Sequence, residues 1–199
     1  MMKNKLGRVL MILGAVCIAA ALTILVYNNR ESSVAKQSSE RIMESLLNEL
    51  SGIKEPEAEV PTDPFEEEMT IKEIDGYGYI GYLSMPSLSL ELPVMSEWDY
   101  DRLKISACRY YGSTKTDNLV IAAHNYRNHF GYIGELQQGD TVIFTDMDAH
   151  TYVYRVESIE LLMSTDVDKV KDTGDDLILY TCNYSGTKRI TVRCSYVEE

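Results

Sequence analysis

Leu177-Ile178-Leu179-Tyr180-Thr181-Cys182-Asn183-Tyr184-Ser185-Gly186-Thr187-Lys188-Arg189-Ile190-Thr191-Val192 is the stretch that decides the fold. An apolar, β-favouring run stops at a cysteine. A polar loop with a glycine follows, and a second β-favouring run opens on an arginine. This is the pattern of a β-hairpin with a thiol at the end of one strand and a guanidinium at the start of the next. Upstream, Leu119-Val120-Ile121-Ala122-Ala123 is a further apolar strand that ends at His124. Thiol, imidazole and guanidinium, each at a strand end, are the parts of a cysteine acyl-transfer site.

Outward from this core the pattern stays β. Tyr79 to Leu83, the alternating Leu88 to Val94, Cys108 to Tyr111, Thr141 to Thr145 and Thr151 to Leu162 read as strands. Tyr100 to Ile105 reads as a short helical turn, and His129 to Leu136 as a loop or single helical turn. Asp146 to His150 is a hairpin connection. Seven or eight short strands with few helices predict an all-β barrel or sandwich.

The beginning of the chain is different. Lys3, Lys5 and Arg8 precede an uncharged run from Val9 to Tyr27, nineteen residues long. As a helix it is about 28 Å long, close to the hydrocarbon thickness of a bilayer. Basic residues ahead of the run predict a cytoplasmic N-terminus and an extracellular remainder. The apolar run passes Ala19-Ala20-Ala21 without stopping, so an uncleaved signal anchor is expected rather than a cleaved signal peptide. Between 37 and 50, Ile42, Met43, Leu46, Leu47 and Leu50 form one apolar stripe at helical spacing. That stripe suits a domain surface, a second copy or a membrane surface equally. From Glu55 to Glu68 there are seven acids, no Lys or Arg, and three of the five prolines. Such a stretch buries little apolar surface and reads as an extended stalk. The expected organisation is therefore residues 1–8 cytoplasmic, 9–27 membrane anchor, 28–70 helix and stalk, and 71–199 catalytic domain.

The net charge is −12, which argues against nucleic acid and anionic lipid as partners of the outer domain. Cys17 lies in the anchor, leaving Cys108, Cys182 and Cys194 outside. An odd number outside leaves at least one free thiol, and with Cys182 as nucleophile only Cys108 and Cys194 remain to pair. No C-x-x-C is present, and His124, His129 and His150 lack metal-ligand spacing with the cysteines.

The Thr181-Cys182 strand end, Arg189 at the next strand start and His124 at an earlier strand end together resemble the sortases, membrane-anchored transpeptidases of Gram-positive cell surfaces. The likeness extends over roughly residues 77 to 197. It includes Met85-Pro86-Ser87-Leu88, Leu92-Pro93-Val94, the tract His124-Asn125-Tyr126 to His129-Phe130-Gly131, Leu136 and Gly139-Asp140. Ala123 departs from it, standing where many members have glycine. The resemblance implies a closed eight-stranded β-barrel. It implies Cys182 as nucleophile, His124 as general acid and base, and Arg189 as the group that binds substrate backbone and oxyanion. Thr181 offers a hydroxyl to orient substrate. The implied substrate is a sorting signal, Leu-Pro-x-Thr-Gly-like or Asn-Pro-x-Thr-like, and the implied acceptor is an amine of the cell wall or of a pilin subunit. The short stretch from Leu162 to Asp176 lacks room for the helical insertion of class B, while Thr-Lys-Arg-Ile and the histidine tract look like class B; the class stays open between B-like and D-like. No cofactor is implied outright. Some sortases use a loop-bound Ca²⁺, and Asp146, Asp148, Asp166 and Asp168 have a spacing that suits one.

Two rivals remain within the chain itself. His129 competes with His124 but does not directly follow an apolar strand. Arg193 lies four residues beyond Arg189, so in a regular strand the two share a face and periodicity cannot separate them. A Cys–His surface peptidase and a non-catalytic membrane-anchored β-domain are the alternative functions.

Overall fold

A computed structural model describes residues 2–52, 69–171 and 173–197. The acidic, proline-containing stretch from Glu55 to Glu68 lies outside the described residues. Nine strands form one sheet in the order β1-β2-β3-β4-β5-β8-β9-β7-β6, and a pairing of β2 with β6 closes it. The strands are β1 (Lys72–Ile74), β2 (Tyr77–Met85), β3 (Leu90–Met95), β4 (Ala107–Tyr111), β5 (Leu119–Ala122), β6 (Thr141–Asp146), β7 (Thr151–Met163), β8 (Leu177–Cys182) and β9 (Lys188–Tyr196). Strands β2 to β9 make the closed eight-stranded barrel. The ninth, β1, is an edge strand on β2 with the register Lys72–Tyr79 to Ile74–Tyr77. Closure removes the unpaired barrel edges that would otherwise invite association.

Gly81 makes the closure possible. It sits at φ +147°, and a Cβ there would lie 2.0 Å from the Thr145 carbonyl oxygen on β6. The β2–β3 register shifts at the same point, between Tyr79 and Gly81. A bulge with a glycine lets β2 bend from one neighbour to the other.

The barrel is filled by inward residues of alternate positions, including Ile80, Leu83, Leu119, Ile121, Phe144, Leu177, Leu179, Val192 and Cys194. Each fully buried aliphatic side chain contributes about 1.5–3 kcal/mol. Parallel pairing of β5 with β8 puts Ala122 opposite Tyr180. Ile133 and Phe130, on a 3₁₀ segment from Phe130 to Glu135, are fully buried in the barrel core.

Among the described residues a single α-helix, α1 (Met2–Ser51), runs from the apolar segment into contact with the barrel. Its stretch from Gly7 onward is long and apolar enough to cross a bilayer, and the apolar window is uncovered by protein. Further along, Ala35, Ser39, Ile42, Met43 and Leu46 are buried, a spacing that presents one helical face. Ile42 and Leu46 pack with Ile74, Tyr79, Met95, Cys108 and Met147 outside the barrel wall. The stripe at 37–50 therefore covers the domain. Leu47 points away from it and is 43% exposed.

Candidate active site

Strand register assembles the site. β5 and β8 run parallel with Ala122 opposite Tyr180, and the Ala123 amide donates to the Tyr180 carbonyl at 3.2 Å. Two residues on from that pair, His124 and Cys182 leave the same end of neighbouring strands, about 5 Å apart in the sheet direction. On the other side β8 pairs antiparallel with β9, and the partner of Cys182 is Arg189. Cys182 thus stands between the histidine strand and the arginine strand. Tyr180 and Cys182 share the outer face of β8, whereas Thr181 turns inward.

Thr181 is 2% exposed, and its hydroxyl donates to the Ala123 carbonyl at 2.8 Å. It ties the cysteine strand to the histidine strand. The same contact accommodates Ala123, which is buried with the barrel core.

The loop between Cys182 and Arg189 is tight. The Asn183 amide donates to the Lys188 carbonyl and the Gly186 amide to the Asn183 carbonyl, both at 3.0 Å. The Asn183 side chain accepts from the Lys188 amide at 3.0 Å. Gly186 has φ +71°, a conformation that favours glycine. Arg189 donates to the carbonyls of Gly186 and Lys188 at 3.0 and 3.2 Å. Among the described residues, no carboxylate pairs with it.

His124 is half-buried, and its Nδ1 lies 2.9 Å from Asn125 Oδ1. The Asn125 amide nitrogen donates to the Asn183 carbonyl at 3.4 Å, which orients Oδ1 toward the imidazole. Oδ1 only accepts, so Nδ1 carries the proton and Nε2 is left to exchange one. Burial holds the imidazole below its ordinary pKa, with the Asn125 bond and the Glu31 carboxylate opposing that shift and Lys104 adding to it. The Tyr126 ring stacks on His124 with centroids 4.0 Å apart and planes within 7°. Asn125 and Tyr126 stood in the quoted tract, yet nothing in their residue types assigns these contacts.

The rivals separate cleanly. His129 is fully buried, bonded to Ser39 at 3.2 Å, and pushed by burial down to about 4. Arg193 is held by Glu160 at 2.5 Å, by Asp175 and by the Lys169 carbonyl at 2.7 Å. All four cysteines are free. Cys108 packs under α1 and Cys194 inside the barrel, in separate clusters, and burial raises both thiols to about 12. Cys182 alone of the three outside the anchor is partly exposed.

The four aspartates with suggestive spacing do not converge. Ligand atoms of Asp146, Asp148 and His150 come within 4.8 Å of one another. Asp146 Oδ1 already accepts from the Asp148 and His150 amides at 2.9 Å each, which shapes the β6–β7 turn. Asp166 pairs with Lys169 and caps the Met163 amide.

An open groove runs beside β4 and is not lined by His124, Cys182 or Arg189. It is lined by Ser96, Trp98, Arg109 and Tyr110. Trp98 lies against Tyr110, and Tyr110 stacks on Tyr180 at 5.7 Å, so an aromatic row leads from the groove to the residue two before Cys182.

A family model described as a sortase domain matches residues 83–197. The chain is similar to a sortase A of Bacillus anthracis, 30% identical over 115 residues, covering 55% of this chain and 54% of that protein. The chain thus spans about half the length of that curated relative. Among solved structures, a sortase D5 transpeptidase of Clostridium perfringens superposes with a TM-score of 0.58 at 17% identity, over 83% of this chain and 99% of that one. Sortase C-3 of Streptococcus pneumoniae superposes with a TM-score of 0.56 at 22% identity, over 83% and 84%. These structural likenesses establish the barrel and, spanning several classes by name, leave the class open.

Proposed function

The chain belongs to the sortase family, and on that premise we propose that it is a cysteine transpeptidase that joins a surface protein to an amine. The observation that carries the reading is the register that flanks Cys182 with His124 on β5 and Arg189 on β9. The Cys182 thiolate attacks the carbonyl carbon of the scissile peptide bond. Electrons move onto the carbonyl oxygen, and the Arg189 guanidinium stabilises the resulting oxyanion. His124, protonated at Nε2, gives its proton to the leaving nitrogen as the C–N bond breaks and a thioester forms. The incoming amine then loses a proton to His124 as its nitrogen attacks the thioester, and Cys182 leaves as a thiolate. The protein ends unchanged, and one amide has been exchanged for another.

The substrate is a sorting signal of the Leu-Pro-x-Thr-Gly or Asn-Pro-x-Thr kind. An extended peptide suits the outer face of β5 and β8, and the aromatic row from Tyr180 to Trp98 supplies apolar walls for it. The acceptor is an amine of a peptidoglycan precursor or a pilin subunit. The apolar stretch of α1 is a single-pass anchor with the N-terminus in the cytoplasm and the barrel outside. The test is a ligation assay on the full chain in detergent, with a sorting-signal peptide and a saturating short glycine peptide or wall-stem mimic. Ligated product should dominate. Hydrolysis alone under saturating amine replaces the reading with a Cys–His peptidase.

A further inference from the structure

α1 reaches the catalytic loop through a short series of contacts. Ser39, 5% exposed, donates its hydroxyl proton to the Ile105 carbonyl at 2.8 Å. That hydroxyl has one proton, so its oxygen must accept from His129 Nε2, 3.2 Å away. His129 is 0% exposed and its Nδ1 has no hydrogen-bond partner. The bond to Ser39, with the backbone of Ala35 and Leu103 beside the ring, sets how this buried ring lies. Tyr126 packs against His129 with centroids 5.6 Å apart, and its other side carries the stacked His124 ring at 4.0 Å. Backbone bonds hold the same loop closed: the His129 amide donates to the Tyr126 carbonyl at 3.0 Å, and the Phe130 amide to the His124 carbonyl at 3.1 Å. Two further contacts join the helix to the loop. The Asn128 amide reaches Ser32 at 3.5 Å, and Glu31 lies beside the Tyr126 hydroxyl.

We infer that the docked half of α1 positions His124: Ser39 orients His129, and His129 with Tyr126 fixes the plane of the His124 imidazole. The inference rests on His124 being the proton-transfer residue of the proposed transpeptidase. Ser39, His129 and Tyr126 are positioning residues, since none of them lies on the outer face of β8 where the thiol is. The arrangement ties the reaction to the anchor mechanically. α1 is unbroken from its apolar stretch to Ser39, and the axial distance from Tyr27 to Ser39 is about 18 Å at 1.5 Å per residue. A rod of that length holds the histidine loop at a fixed height beside the bilayer surface.

The contacts make a geometric demand that general packing does not. A proton-transfer group displaced by about 1 Å loses on the order of 10²-fold in rate, without loss of substrate binding. The test compares full-length Ser39→Ala, Tyr126→Leu and Tyr126→Phe with the wild type in detergent. Ligation kinetics are read together with the NMR shifts of the His124 ring protons, assigned with His124→Gln. In the wild type the stacked tyrosine displaces those shifts upfield. Ser39→Ala and Tyr126→Leu should lose the displacement and lower kcat by about 10-fold or more, with KM within about 2-fold. Tyr126→Phe keeps the ring and should keep both values. Wild-type shifts and kcat in Ser39→Ala overturn the inference, as does a Tyr126→Phe variant as impaired as Tyr126→Leu. Shifts that move while kcat stays also overturn it. A wild type that does not ligate removes the proposed function instead, and the Ser39→Ala ring shifts still decide whether α1 orients His124.

Discussion

The start and the middle of β9 carry the same side chain in opposite surroundings. Arg189 opens the strand opposite Cys182, and its guanidinium donates to loop carbonyls and meets the Tyr180 hydroxyl, with no carboxylate partner among the described residues. Arg193, four residues on, is enclosed by Glu160, Asp175 and the Lys169 carbonyl, with 17% of its side chain exposed. One cation is unneutralised at a strand end and the other is consumed in holding β7, β9 and the loop before β8 together. The contrast repeats for the other site residues. His124 is half-exposed and bonded through Nδ1 to its neighbour Asn125, whereas His129 is buried and bonded to a helix. Cys182 is partly exposed, whereas Cys194 lies in the barrel core. In each pair the residue type is the same, and burial and partners decide which member is available for chemistry.

The arginines give the largest difference to test. Arg189→Ala should lower kcat for ligation by about 10²-fold or more, the scale of a lost oxyanion donor, with little change in melting temperature. Arg193→Ala should keep kcat near the wild-type value. It should lower stability by about 2 kcal/mol, since it removes hydrogen bonds to charged groups and strands two carboxylates. Thermal melts beside single-turnover ligation separate the two effects. An Arg193→Ala variant that folds normally and fails to ligate would invert the comparison.

The histidines give a smaller, pH-dependent difference. Burial depresses His129 to about 4, against about 6.5 in an unfolded chain. Between those values the unfolded state binds a proton that the folded state refuses, so stability rises with pH through that window. It is fully present above about 6.5 and is lost as pH falls toward 4, at no more than about 1.4 kcal/mol per pH unit. His129→Leu should flatten that slope in denaturant titrations at pH 4.5, 5.5 and 6.5. An unchanged slope means that His129 does not titrate as its burial requires. His124 is shifted down by burial too, with Asn125 and Glu31 opposing, and it should add less to the same slope.

The strand pattern was legible because alternation and apolar runs are written residue by residue. Tyr79 to Leu83 and Leu177 to Thr181 fall inside β2 and β8. β1 was missed because three residues, Lys-Glu-Ile, are too short to show a period. The Leu88 to Val94 strand begins later than expected, because Pro86 starts a 3₁₀ turn that runs through Leu88. The apolar stripe of α1 gave a face but no partner, since apolar burial is non-directional. Arg189 and Arg193 are separated by an even number of residues, so only the carboxylates brought in from β7 and the loop before β8 distinguish them. Thr181 looked like a site hydroxyl from its neighbour. Its inward face follows from strand alternation, but its bond to Ala123 depends on the parallel pairing of β5 with β8. Ser39 gave no signal at all: a serine on a helix becomes informative only when a buried histidine from 90 residues away meets it.

The most direct test of the account is to trap the covalent intermediate. Full-length protein is incubated with a sorting-signal peptide without an added amine, quenched in acid, digested and mapped by mass spectrometry. The account predicts one thioester, on Cys182, absent from Cys182→Ala and retained in Cys108→Ala and Cys194→Ala. An adduct on Cys194 or Cys108, or a Cys182→Ala protein that still forms one, contradicts it.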